Sequence, residues 1–366
     1  MHGSERRVKI EKMERSSKMR LGFGVGVLFL LFAASGVAQQ GTPAPAKAFA
    51  TAPDISYDSV PNFLKLPAGL YLGEAVAVAT NSKGHVYAYT RSGEASRLFE
   101  FDQNGSFVRE IGQGLYGFQM AHAVRVDSQD NVWAVDEGTD MVIKFNPQGR
   151  VVMLLGRRPE SHVLAATEPN PHAPAKPYTF GRPTDIAWDA AGNIFISDGY
   201  TNSRVVKYDK NGKFIKEVGS FGTAPGQFNT PHSIATDAKG NVYVADRGNR
   251  RIQVFDNDLN YKTSYDNVGA PWAVCITPGP HQYLYSSNSY PDNNNSNAFK
   301  VTGEIYKMEL DGTVVGKFGK AGKQLKEFST THEIDCRNEN ELVIGEITAW
   351  RVQKIVLRPQ VQTSSR

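Results

Sequence analysis

The sequence predicts an all-β chain closed into a six-bladed β-propeller, and three observations carry that expectation. One phrase recurs along the chain: a short apolar strand, a polar turn, an alternating apolar strand and a polar loop. The phrase starts at Val76, His122, Thr184, His232, Trp272 and His332, with spacings of 40 to 62 residues that suit a four-stranded blade. No strong long amphipathic helix competes with it.

Taken in order, blade one opens at Val76 with VAVATNSKGHVYAYTR, where period-2 alternation flanks a Lys-Gly turn. Blade two (HAVRVDSQDNVWAVDEGTDMVIKF, from His122) turns at Asp-Asn. Blades three (TDIAWDAAGNIFISDGYTNSRVVKY, from Thr184) and four (HSIATDAKGNVYVADRGNRRIQVF, from His232) turn at Gly-Asn. Blade five (WAVCITPGPHQYLYSSNSY, from Trp272) carries a small insertion, and blade six (HEIDCRNENELVIGEITAW, from His332) completes the set. The longer gaps hold polar loops, one Pro- and His-rich over 157–178 and one Asn-rich over 286–300. Six blades in one ring predict a single domain over 61–366.

Ahead of it, a basic stretch ends at Arg20 and an apolar run spans Leu21 to Ala34, followed by small residues to Ala38. That order reads as a signal peptide over 1–38, cut after Ala38, with a Gln/Pro/Ala-rich linker over 39–60. The apolar run is shorter than the ~20 residues of a spanning helix. The expectation is therefore a secreted or periplasmic protein without stable membrane insertion after cleavage. Charged residues are 21% and hydrophobic residues 40% of the 366-residue chain, which excludes disorder. The net charge is +4, and no basic stripe is interleaved with aromatics, so no nucleic-acid partner is expected. Two cysteines, Cys275 and Cys336, are too few for a disulfide scaffold, and the sequence leaves their pairing open.

The phase of the repeat also gives position. The start of a blade's first strand and the end of its antiparallel second strand emerge on one face. Histidine holds the first position on blades two, four and six (His122, His232, His332), so three imidazoles are expected about the axis. Three histidines with an open position are a ligand set typical of catalytic zinc. Fifteen or sixteen residues further on lie Arg91, Tyr200 and Arg247. Two guanidiniums suit a carboxylate, and a tyrosine beside a dication suits a base.

The repeats resemble NHL repeats. Within them FGRPTDIA from Phe180, SDGYTNSR from Ser197, GQFNTPHS from Gly226 and Ala245-Asp246-Arg247 resemble the peptidyl-α-hydroxyglycine α-amidating lyases, over roughly residues 74 to 357. The resemblance implies zinc on His122, His232 and His332, Tyr200 as base, and Arg91 and Arg247 flanking the substrate. It also implies a structural calcium held by the carbonyls of Val78 and Val124 and the carboxylate of Glu333. The chain departs from the family at that point: Thr330-Thr331-His332-Glu333 stands where Met-Pro-His-Asp is usual, and glutamate is one methylene longer than aspartate. The family's two blade disulfides have no counterpart either. The implied reaction is cleavage of the C–N bond of an N-acyl-α-hydroxyglycine-type substrate, a small molecule or a peptide with that C-terminus, to an amide and glyoxylate. Two alternatives stand beside it. One is a non-catalytic propeller binding a protein, peptide or glycan. The other is a different metal-dependent propeller hydrolase such as a lactonase, whose acidic metal ligands the first position lacks.

Overall fold

The computed structural model describes residues 51–93, 95–158, 176–289 and 302–358. The expected signal peptide, most of the linker, and the greater part of both long loops lie outside them. The described chain forms six four-stranded antiparallel sheets. Their inner strands are Glu74–Thr80, Ala121–Val126, Asp185–Trp188, Pro231–Thr236, Pro271–Ile276 and Thr331–Asn338. Each inner strand abuts the next, and that of blade six returns to blade one, closing the ring.

Closure differs from the expected boundary. Tyr57–Val60, placed by the sequence in the linker, pairs antiparallel with Arg351–Leu357 as the outermost strand of blade six. A ring leaves one sheet to be completed by both ends of the chain, and the hydrogen bonds of an otherwise open edge are satisfied in this way.

The second strands of blades two, three and four (Val132–Asp136, Ile194–Asp198, Val242–Asp246) are buried throughout, because each sheet packs a neighbour on both faces. Between blades two and three, for example, Trp133, Val135, Phe180, Ile196, Val206 and Tyr208 form one apolar cluster. Each such side chain contributes about 1.5–3 kcal/mol by burial. Cys275 and Cys336 pair as a disulfide joining the inner strands of blades five and six. It closes a loop with a sequence separation of 61 residues, worth about 4 kcal/mol in the loop-entropy estimate.

Buried carboxylates at the ends of second strands fix the loops that lead into the inner strands. Asp136 accepts from the backbone N–H groups of Gln119 and Met120, each at 2.9 Å. Asp198 accepts from Gly181 at 2.8 Å, Asp246 from Asn229 at 2.8 Å and Glu346 from Ser329 at 2.9 Å. Arg204, Arg251 and Arg351 neutralise the last three. These loops end at the first positions of the blades, so the frame that holds the repeat together also sets where its histidines stand.

Candidate metal centre

Blades two, four and six present their histidines through one local device. In blade two Ala121 pairs with Asp136 and Ala123 with Val135, which leaves His122 as the extra residue of a β-bulge. His232 lies between Pro231 and Ser233, and His332 between Thr331 and Glu333, in matching irregularities. A bulge frees a residue from the ladder and re-aims its side chain. The three rings meet with centroids 4.6, 4.6 and 4.7 Å apart, and their candidate ligand nitrogens all lie within 4.8 Å of one another.

The intervening blades orient the rings. His122 Nδ1 donates to the Thr184 carbonyl at 2.5 Å, His232 Nδ1 to that of Trp272 at 2.7 Å, and His332 Nδ1 to that of Val76 at 2.9 Å. Thr184, Trp272 and Val76 are the first positions of blades three, five and one, so the odd blades hold the tautomer of the even ones. A proton fixed on Nδ1 leaves the Nε2 lone pair free for a ligand bond. Burial holds all three imidazoles well below the ordinary histidine range, and neighbouring positive charge pushes the same way. His232 Nε2 is buried and has no hydrogen-bond partner among the described residues, an orphan that a bound ion would satisfy. The donor set fits a metal ion.

The residues at the second-strand ends gather at the same mouth. Tyr200 Oη donates to His122 Nε2 at 3.3 Å. The Arg247 guanidinium lies 5.4 Å from the Tyr200 ring centroid and 4.3 Å from that of Trp272. Arg91 is already engaged, donating from Nε to the Ala121 carbonyl and from Nη2 to Glu137, both at 2.8 Å. Two residues not singled out in the sequence complete the cluster. Glu137, 2% exposed, takes Arg91 on one carboxylate oxygen and Arg182 on the other at 3.0 Å. Arg182 covers Tyr200 at 4.3 Å from the ring centroid. Glu137 stands at the same offset from His122 as Arg247 does from His232, and that repeat offset was the signal that could have found it. The chain's own groups do not lower the Tyr200 phenol: burial raises it above the ordinary value, outweighing the pull of Arg247, Arg91 and Arg182.

Of the residues of the expected calcium site, Glu333 already faces a cation of the chain itself. Val78 and Val124 are buried on the inner strands of blades one and two, and Glu333 is 2% exposed. Glu333, however, faces the Arg125 guanidinium, its Oε1 lying 2.8 Å from Arg125 Nε. The contact is an ion pair without hydrogen-bond alignment, because that N–H is directed at Asp185 Oδ1 at 3.0 Å. The other end of the inner strands opens into a cavity of about 950 Å3 lined by Val126, Trp133, Trp188, Thr236, Ile276 and Asp335, away from the histidines.

Comparison with known proteins gives the lineage. A family model described as a six-bladed β-propeller matches residues 177–335. NHL repeat-containing protein 3 of Mus musculus is 32% identical, over 78% of this chain and 80% of its own length. The chain belongs to the NHL-repeat β-propellers. The chain is also 24% identical to a probable peptidyl-α-hydroxyglycine α-amidating lyase of Caenorhabditis elegans, over 78% of this chain and 83% of that protein. Other relatives with amidating names are longer, and the chain spans 58% of the Drosophila melanogaster lyase and 29% of the Rattus norvegicus monooxygenase. Among solved structures, a gluconolactonase of Xanthomonas campestris superposes with a TM-score of 0.54 at 14% identity, over 79% of this chain and 87% of that one. That likeness concerns the fold alone. No helix among the described residues is long and apolar enough to cross a membrane.

Proposed function

We propose that this NHL propeller is a zinc-dependent lyase that cleaves N-acyl-α-hydroxyglycine-type substrates, small molecules or peptides, to an amide and glyoxylate. The observation that carries the reading is the convergence of three neutral imidazoles with a tyrosine hydroxyl 3.3 Å from one of them, inside a rim of arginines. His122, His232 and His332 would hold the zinc, which when bound polarises substrate oxygens as a Lewis acid. As the phenolate, Tyr200 Oη would take the proton of the carbinol hydroxyl while the C–N bond breaks and return it to the departing nitrogen, so that the carbinol carbon becomes the aldehyde of glyoxylate and the nitrogen that of the amide. Arg247 and Arg91 hold the substrate carboxylate and offset developing charge. The Cys275–Cys336 disulfide accords with an oxidising compartment, so secretion or export to the periplasm, with residues 1–38 removed, belongs to the same proposal.

The deciding experiment is a glyoxylate assay on zinc-loaded protein with several acyl-hydroxyglycines. Release is the expected result, and silence with every substrate at full metal content returns the chain to the binding propellers. Glu137→Gln adds a finer prediction. Its carboxylate holds Arg91 and Arg182 together, and hydrogen bonds to charged groups are worth about 1.5–3 kcal/mol. The variant should therefore lose about tenfold or more in kcat/KM, chiefly through KM, with zinc unchanged. An unaltered KM would show that the arginines keep their places without it.

A further inference from the structure

A charged side chain crosses the channel beneath the histidines. Arg125 leaves the inner strand of blade two and reaches four others. Its Nε and Nη2 donate to the two oxygens of Asp185 on blade three at 3.0 and 2.6 Å. Nη1 donates to the Ile334 carbonyl of blade six at 3.1 Å, and Nη2 also lies near Ser233 Oγ of blade four at 3.3 Å and the Val274 carbonyl of blade five at 3.5 Å. Glu333 closes the group at 2.8 Å.

Every one of these neighbours is an oxygen: two carboxylates, two backbone carbonyls and a hydroxyl. Taken without Arg125, that is the donor set a hard divalent cation selects, and calcium above all, with its 6–8 oxygen ligands in flexible geometry. Both carboxylates are buried, Asp185 at 1% and Glu333 at 2% exposure, so the place requires positive charge. A guanidinium supplies it permanently, since it does not deprotonate in proteins and its planar fork matches a carboxylate. It is also tethered, so it cannot be diluted or chelated away.

We propose that the Arg125 guanidinium is the resident cation of this propeller's channel, occupying a place that Asp185, Glu333 and the carbonyls of Val274 and Ile334 would otherwise offer to a calcium ion. The protein is on this account calcium-independent, and its inner strands are drawn together by a covalently attached charge.

The test reads calcium and melting, so it stands apart from any lyase activity. Zinc-loaded wild type is dialysed against calcium chloride, and metal content is measured together with Tm in calcium and in EGTA. The expected wild type binds no calcium and melts alike in both. Arg125→Met, which removes the charge and keeps an apolar stem, should take up about one calcium per chain and melt higher in calcium than in EGTA. Arg125→Lys keeps a tethered cation and should remain calcium-free, which preserves the test if the methionine variant fails to fold. Stoichiometric calcium in the wild type overturns the proposal. So does a folded Arg125→Met chain that binds none, or an Arg125→Lys chain that binds it.

Discussion

A chain carrying His232→Ala together with His332→Ala is expected to lose its zinc and all measurable glyoxylate release. Structural and catalytic zinc sites are built from three or four protein ligands, and His122 alone offers one. The loss should be close to complete because the three nitrogens all lie within 4.8 Å of one another and act as one donor set. The substitutions also leave the Trp272 and Val76 carbonyls without their imidazole donors. Each buried group so orphaned costs about 1–3 kcal/mol, so the variant must be shown folded by circular dichroism before its metal is counted. Metal analysis then decides. Zinc persisting at one per folded chain would place the ion elsewhere.

The second large effect concerns Tyr200→Phe, which should lower kcat by roughly 10²–10⁴, the usual worth of a general base, with zinc content unchanged. The hydroxyl is the only atom removed, and it is the one directed at the histidine cluster. Burial holds the phenol above its ordinary range, so at neutral pH the chain alone leaves it protonated. In the proposed reaction, a bound dication and the substrate would complete the field in which it gives up its proton. Arg91→Ala should behave differently. Arg91 is tied to Glu137 and to the Ala121 carbonyl, so its removal weakens substrate binding and loosens the rim in the same stroke. A Tyr200→Phe enzyme that keeps its kcat would take the base role away from this residue.

Much of this architecture was legible in the sequence because turns and alternation are local signals. Each blade announces itself within about thirty residues, and the phase that defines the blades also brings His122, His232 and His332 to one point. What escaped had no local signature. Tyr57–Val60 is a four-residue strand hard by Pro61, and only its partner Arg351–Leu357, at the far end of the chain, makes it a strand. The bulges that aim the histidines are irregularities between strands, invisible along either one. Arg125 reads as a stray charge in an apolar strand until Asp185 and Glu333 are brought to it from blades three and six. Glu137 was within reach, since it obeys the repeat offset, but an acidic residue in a polar loop draws no notice.

Ring closure has a consequence in time. The strand Tyr57–Val60 precedes all six inner strands in the chain, yet its partner is the last strand of all. Pairing them closes nearly the whole chain as one loop, a contact of the kind that slows folding most. His332 belongs to that last blade, so a growing chain holds two of the three imidazoles before it gains the third. On the proposed reading, an ion could be held by all three imidazoles only after the final blade has arrived. The proposed centre would thus be completed late in folding, together with the last blade.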